Sequence, residues 1–300
     1  MNERLVNQLI NLLATVTLIE LMVTIGLGVT VAEVISVARN WRLVTKAIVA
    51  NYICVPAAAM ILLLLFQADP YVAVGFLIIA VCPGAPYGPP FTGMAKGNLA
   101  VSVGLMILLA GSSALLAPLL LSVLLPFTLG FLPPLPPDSK PLAVNPVSVV
   151  TTLLFSQMLP LGIGLAIRAW QPVLAEKLAK PAKLLSMILN LAMLGTILVV
   201  QYRMLIGIPL RGYVGMLALL AASIAAGWLM GGPGDGNRTA MTMATAVRNV
   251  GVGLVIATGS FAGTQAVTAA TAFALFQTVV MALIAAAWGR QVVAHLTDRA

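Results

Sequence analysis

The sequence predicts an all-α polytopic membrane protein with about nine transmembrane helices, arranged as an inverted repeat. Three observations lead to this fold class. Hydrophobic residues make up 61% of the 300 residues and charged residues only 8%, whereas about a quarter of a soluble domain is charged. Nine stretches contain the roughly 20 mostly apolar residues that a bilayer-spanning helix needs. Two of these stretches carry an anomaly at corresponding positions in the two halves of the chain.

The predicted spans, A to I, follow one another with short connections. They lie at about 6–28, 42–66, 71–96, 98–126, 145–169, 182–202, 211–231, 238–260 and 265–289. VAEVISVARN after A predicts a short interfacial helix, and the proline-rich FLPPLPPDSKP after D predicts an external loop. The chain, 1–300, then forms a single membrane domain. Its first repeat is at about 6–126, a linking helix at about 145–169 and the second repeat at about 182–289.

Lysine and arginine residues orient the predicted bundle, because basic loops are retained in the cytoplasm. Eleven lie on one side, Arg39, Arg42, Lys46, Lys96, Arg168, Lys177, Lys180, Lys183, Arg238, Arg290 and Arg299, and four on the other, Arg4, Lys140, Arg203 and Arg211. We therefore expect an integral membrane protein with its N-terminus outside and its C-terminus inside. The net charge of +8 forms no basic stripe with interleaved aromatic residues, so no nucleic-acid partner is expected.

The two anomalies lie in the third span of each repeat. CPGAPYGPP, residues 82–90, interrupts C with four prolines and two glycines, and TAVRNVGVG, residues 245–253, places Arg248 in the middle of H. A simple proline kink in C is the alternative to a true break. Paired broken helices in inverted halves indicate a transport site, because freed backbone groups at membrane depth line cavities. The predicted substrate and ion site comprises Gly84, Tyr87, Gly88, Pro89, Thr92, Thr245, Arg248 and Asn249.

Several stretches resemble the bile acid:sodium symporter family. They are IGLGVT in A, ANYICVP in B, CPGAPYGPPFTGMAKGNLAVSV across C and D, LPLGIGLAIR in E and RTAMTMATAVRNVGVGLVIA in H. The resemblance implies a core domain, B, C, D, G, H and I, in which two broken helices cross near the membrane midplane. It also implies a panel domain, A, E and F, that moves against the core, and a secondary transporter of a small organic anion working by alternating access.

The chain departs from the family pattern at the positions that the resemblance assigns to sodium. Gly88 and Pro89 stand where a Ser-Asn pair is expected, while Ala244 and Arg248 stand where a Glu and a Gln are expected. Asn51 supplies a polar side chain at the position where the resemblance implies a glutamine ligand. Sodium coupling is therefore not expected. We expect Arg248 to act as a built-in cation that satisfies the carbonyl ends of broken helix C and leaves one face for a substrate carboxylate.

Glu20 is the remaining ionisable residue in the middle of a span, and three interpretations of it are open. It could pair with Arg248, exchange a proton as a coupling group, or hydrogen-bond a neighbouring helix. We include Glu20 among the site residues. Thr24, Tyr52 and Gln157 are further candidates for the cavity wall, with ordinary interhelical hydrogen bonding as the alternative for each.

Other function classes fit the sequence less well. No His or Asp lies within a span, which argues against an intramembrane hydrolase, and we expect no enzyme activity, no metal site and no cofactor. A non-transporting sensor and an arsenite-efflux-like carrier on the same fold are the alternatives. The expected partners are a small organic anion and the lipid bilayer, with the proton as a candidate coupling ion and sodium not expected.

Overall fold

The computed structural model describes residues 3–134 and 142–297, and every regular element in these ranges is a helix. The α-helices are α1 (Glu3–Gly28), α2 (Val31–Ala38), α3 (Trp41–Val49), α4 (Val55–Leu65), α5 (Pro70–Ala80), α6 (Gly88–Met94), α7 (Leu99–Leu129), α8 (Pro146–Leu153), α9 (Leu159–Trp170), α10 (Pro172–Ile206), α11 (Leu210–Met230), α12 (Asp235–Ala246), α13 (Val250–Ser260) and α14 (Gln265–Thr297). Two π-helical turns, Ala50–Cys54 and Leu154–Met158, join α3 to α4 and α8 to α9. The predicted all-α polytopic fold is confirmed.

Seven stretches of the described chain are long and apolar enough to cross a membrane: Gln8–Gly28, Trp41–Leu65, Leu99–Leu129, Pro146–Trp170, Leu210–Met230, Asp235–Ser260 and Gln265–Val292. The other two predicted spans, C and F, correspond to the broken pair α5 and α6 and to α10. The protein is therefore an integral membrane protein, whereas the count of nine spans and the repeat boundaries stay predictions.

Predicted span C is broken, so the kink alternative is wrong. α5 ends at Ala80 and α6 begins at Gly88, with Pro89 and Pro90 in the first turn of the second half, where their missing N–H groups leave no helical bond unmade. Span H breaks as well, because Val247 has extended backbone angles and Asn249 caps the helix that follows. Both anomalies in the sequence are thus interruptions of the helix.

The short helix predicted after A is present, whereas predicted span F begins earlier than expected. The interfacial helix after A is α2, which begins with a capping box between Thr30 and Glu33; hydrogen bonds from Thr30 to the Glu33 carboxylate hold its pKa below the usual value. Span F was placed too late, since α10 already begins at Pro172. The first turns of α10 carry charged residues, so a search for apolar stretches does not include them in the span. Most of the proline-rich loop predicted after D lies outside the described residues.

The helices pack in two groups that close approaches of glycine hold together. In the first, which we name the panel, α1 packs on α9 and α10; a Cβ atom at Gly26 would lie 2.5 Å from the carbonyl oxygen of Leu161. In the second, the core, α4 to α7 pack with α11 to α14, and a Cβ atom at Gly75 would lie 2.4 Å from the carbonyl oxygen of Ala266. The broken pair α12 and α13 is at the centre of the core, and 89% of its most apolar stretch is buried.

Candidate functional site

The two helix breaks meet and satisfy each other's backbone. The N–H of Asn249 donates to the carbonyl of Cys82 at 2.7 Å, and its side-chain Nδ2 donates to the carbonyl of Gly84 at 3.1 Å. Gly84 has a φ of +80°, and a Cβ atom there would lie 2.2 Å from the backbone nitrogen of Ala110. Only glycine fits this point, because it combines a left-handed backbone with a close approach to α7.

Arg248 fills the crossing point and uses every donor of its guanidinium. Its side chain is 1% exposed. The five N–H groups donate to the carbonyl of Ile79 (3.4 Å), the side-chain oxygen (2.7 Å) and carbonyl (3.2 Å) of Asn51, the carbonyl of Thr245 (3.2 Å) and the carbonyl of Ala80. The guanidinium therefore satisfies the carbonyl end of the first broken helix, as expected. No N–H group remains for a substrate in this conformation, so the expected free face is not present.

The π-helical turn at Ala50–Cys54 explains why a carbonyl of a transmembrane helix is free for Arg248. The N–H of Val55 bonds the carbonyl of Ala50, and the next residue, Pro56, has no N–H to offer to Asn51. The Asn51 carbonyl therefore turns to the guanidinium. The Asn51 Nδ2 donates to Ala47 and to the hydroxyl of Thr245, which locks the amide with its oxygen towards Arg248.

Gln277 on α14 completes the crossing, and the sequence analysis missed it. Its Oε1 accepts from the backbone N–H of Arg248 at 3.1 Å, and its Nε2 donates to the Arg248 carbonyl at 3.0 Å. The side chain is fully buried. A lone amide in the middle of an apolar helix was the available signal, because such a group needs a hydrogen-bonding partner within the protein.

A cavity of about 730 Å³ lies beside the crossing, between panel helices α1 and α10 and core helices α6, α7, α13 and α14. Its polar lining residues are Thr17, Thr24, Tyr87, Lys183, Ser186, Asn190, Asn249, Thr271 and Thr278. Among the predicted site residues, Tyr87, Pro89 and Asn249 line this cavity. The other site residues of the breaks, Gly84, Gly88, Thr92, Thr245 and Arg248, and also Asn51, lie buried behind its wall.

One end of this cavity presents hydrogen-bond donors. Val250 and Gly251 line the cavity at the start of α13, where the Asn249 side chain caps only the N–H of Val252. The N–H groups of Val250 and Gly251 have no partner among the described residues. Thr17, 2% exposed, lines the same cavity, and its hydroxyl is also without a partner. A helix N-terminus with free N–H groups and an unpaired hydroxyl forms a site suited to an anion.

Glu20 lies on panel helix α1, behind two residues of the cavity wall, and does not pair with Arg248. Its two carboxylate oxygens accept hydrogen bonds from the hydroxyls of Thr24 (2.8 Å) and Ser186 (2.5 Å). Thr24 and Ser186 line the cavity. Of the three interpretations of Glu20, the contacts show hydrogen bonding to a neighbouring helix, α10.

The panel also meets the core across the cavity. The Tyr87 hydroxyl donates to the Oδ1 of Asn190 on α10, whose Nδ2 donates to the Ser186 carbonyl. Of the remaining candidates, Tyr52 bonds the carbonyl of Leu109 on α7, and Gln157 bonds the carbonyl of Ala110. Tyr52 and Gln157 thus join helices, whereas Thr24 belongs to the cavity wall.

Comparisons with known proteins agree with this architecture. Residues 15–208 match the model of the sodium bile acid symporter family. Over 263 residues, 85% of this chain and 76% of the other, the sequence is 25% identical to the uncharacterized sodium-dependent transporter YocS of Bacillus subtilis (strain 168). The family match points to a transporter and not to an enzyme, and it confirms the resemblance that the sequence motifs indicated. The chain belongs to the sodium bile acid symporter family.

Proposed function

We propose that the protein is a secondary transporter of a small organic anion that works by alternating access, with the Arg248 guanidinium in the place of a sodium ion. The observation that carries this proposal is the set of five oxygen acceptors around Arg248. Uncharged oxygens that converge on one buried cation are the hard ligands that an alkali metal ion would use. In this chain they hold a cation that is part of the protein.

The covalently attached cation changes the energetics of transport. Sodium enters and leaves its site, so that binding draws on the sodium gradient in each cycle. Arg248 stays charged and stays in place, because a guanidinium is protonated at all physiological pH values. The crossing is then permanently assembled, and transport no longer needs sodium. The driving force is either the gradient of the substrate itself or a coupled proton, for which Glu20 is the candidate group.

The donor end of the cavity supports an anionic substrate. The free N–H groups of Val250 and Gly251 carry the positive end of the α13 dipole, and the Thr17 hydroxyl adds a third donor. Arg248 precedes Asn249, the N-cap residue of α13, in the chain, so its charge adds to the positive potential there. We propose that the substrate carboxylate binds at these donors, in contact with Asn249. Arg248 then attracts the carboxylate through its electrostatic field and not by direct contact.

Alternating access is supported by an asymmetric closure of the gap between panel and core. On one side of the cavity, Ile10, Ala14, Met193 and Leu254 form a buried apolar cluster, and Thr258 donates to Asn11 at 2.9 Å. Towards the other end, Gly28 and Lys183 line the cavity. With the orientation proposed from the basic loops, N-terminus outside in the bacterial inner membrane, we interpret this arrangement as an inward-facing conformation that is closed on the outside.

Uptake by proteoliposomes tests this function. Labelled organic anions are offered with sodium or with choline as the external cation, to the wild type, to Arg248→Gln and to Arg211→Gln, which removes an exposed arginine as a control. We expect equal uptake in sodium and choline for the wild type and the control, and loss of uptake in Arg248→Gln. A strict sodium requirement in the wild type would refute the proposal. Binding without uptake would instead indicate the sensor.

A further inference from the structure

We infer that the cavity between panel and core is built for a short zwitterion. Its carboxylate binds at the donor end, and its ammonium group binds at the hydroxyl oxygens of Thr24 and Ser186, next to the Glu20 carboxylate that they bond. The inference rests on the proposed binding of a substrate carboxylate at the donor end, and it adds an ammonium group to that substrate, which then carries no net charge. It is carried by an acceptor cluster of Glu20, Thr24 and Ser186, in which Thr24 and Ser186 line the panel wall of the same cavity.

The acceptor cluster can offer only lone pairs to the cavity. Thr24 and Ser186 each have a single hydroxyl hydrogen, and each has the Glu20 carboxylate within hydrogen-bonding distance, at 2.8 and 2.5 Å. A hydroxyl that gives its hydrogen to a carboxylate presents its oxygen as an acceptor to everything else. Two such oxygens, with the carboxylate directly behind them, form a surface that attracts hydrogen-bond donors and repels a second anion.

The charge of Glu20 is not neutralised within the described protein. No ion pair of the described residues includes it. Lys183 lines the cavity one turn before Ser186 without pairing with Glu20, and all five Arg248 donors are engaged at the crossing. A half-buried carboxylate at membrane depth without a cation is costly. A hydroxyl group of a substrate would leave that charge in place, whereas an ammonium group would compensate it.

The spacing of residues along α1 gives the distance between the donor end of the cavity and the acceptor cluster. Thr17 and Thr24 both line the cavity. We assign Thr17 to the donor end because its neighbour Leu18 lies against Gly251, 3.2 Å from a Cβ atom built there, while Thr24 belongs to the acceptor cluster. Seven residues along an α-helix correspond to about 10 Å. Two hydrogen bonds of about 2.9 Å each leave about 4 to 5 Å between the carboxylate and the ammonium group of the ligand. An extended four-carbon ω-amino acid, 4-aminobutanoate, has this spacing and serves as the probe.

The test compares 4-aminobutanoate with butanoate, which lacks only the ammonium group, by calorimetric titration of the purified full-length protein. We expect the wild type to bind 4-aminobutanoate at least about tenfold more tightly, the size of one charged hydrogen bond. Glu20→Gln should abolish this preference by weakening only the amino compound. Thr17→Val, which keeps the shape of the side chain, should weaken both ligands. Glu176→Gln, on the exposed face of α10, is the control and should change neither.

The outcomes separate this inference from the proposed function. Equal binding of the two compounds by the wild type, binding of neither by protein that melts cooperatively, or an unchanged preference in Glu20→Gln would each overturn the inference. Uptake of butanoate that needs an inward proton gradient, with the need lost in Glu20→Gln, would assign Glu20 to proton coupling instead and leave anion transport intact. Selective binding of 4-aminobutanoate without uptake would keep the ligand class and refute the transport proposal.

Discussion

The two helix breaks at the crossing differ in how they are made and in what they contribute. The first, between Ala80 and Gly88, is rich in proline and glycine and offers carbonyl oxygens. The second, Val247 to Asn249, contains neither residue type and offers donors from side chains and backbone. An interrupted helix in a membrane is stable only when its freed groups find partners. Here the acceptors of one break find the donors of the other, so neither break is stable alone.

Removing the cation from the second break should have the largest effect on this complementarity. Arg248→Ala leaves four buried oxygen acceptors without a donor, since the carbonyl of Ile79 keeps the N–H of Cys82. Each buried acceptor that is left unpaired costs about 1–3 kcal/mol. We expect a large fall in Tm in detergent and loss of anion uptake. Arg211→Ala, at an exposed position, controls for the loss of a charge. A wild-type Tm in Arg248→Ala would show that the oxygens are satisfied in another way.

Varying the salt tests whether the oxygen atoms around Arg248 would bind a metal cation in the Arg248→Ala variant. If the five oxygens form a cation site, the space left in Arg248→Ala should admit sodium, and a ligand that binds only the folded state raises Tm. We expect sodium chloride to raise the Tm of Arg248→Ala above its value in choline chloride at equal ionic strength. The wild type should show no such difference, because its site is already filled. Equal Tm values in both salts for Arg248→Ala would argue that the site is specific for the guanidinium.

How far the sequence predicted these breaks follows from their chemistry. Proline and glycine act locally, so CPGAPYGPP identified the first break directly. The second was identified only because Arg248 is a charge in an apolar span. The partner of Arg248 on α14, Gln277, and the partner of Glu20 on α10, Ser186, could not be derived, since contacts between distant helices depend on packing that no local pattern encodes. The expectation that one face of Arg248 is free for a substrate was wrong for the same reason.

A side chain at Gly84 should have the next largest effect, because it would distort the backbone of the first break. In Gly84→Ala the new Cβ atom meets the Ala110 backbone nitrogen at 2.2 Å and the residue keeps a φ of +80°. Strain and overpacking together should cost about 3 kcal/mol, seen as a lower Tm and weaker anion binding. Gly88→Ala is the matched control, since the nearest atom, the Cα of Ala244, would be 4.0 Å away. Equal melting of the two variants would contradict this account.

Asn249→Asp should have a smaller effect, because it keeps one of two functions of the side chain. An aspartate oxygen can still cap the N–H of Val252, but it cannot donate to the carbonyl of Gly84. Loss of one buried hydrogen bond should destabilise by about 1–2 kcal/mol. The added negative charge at the donor end should also weaken butanoate binding by about tenfold or more. Asn249→Ala separates the effects, since it removes both hydrogen bonds without adding charge. Undiminished butanoate binding in Asn249→Asp would place the carboxylate elsewhere.

The smallest effect is expected at Cys82, and it tests whether the first break contributes to the crossing through its backbone alone. The crossing uses the Cys82 carbonyl, which accepts from Asn249, while the thiol is fully buried and Cys54, the other cysteine, is half-buried. Alanine keeps that carbonyl and removes one polarizable atom from a packed interior, a loss of about 1 kcal/mol or less. Cys82→Ala should therefore keep anion uptake and lower Tm only slightly, and Cys54→Ala serves as the control. Loss of uptake in Cys82→Ala alone would make the thiol itself a functional group and would revive the arsenite-efflux-like alternative, because a soft thiolate is the ligand that such a substrate requires.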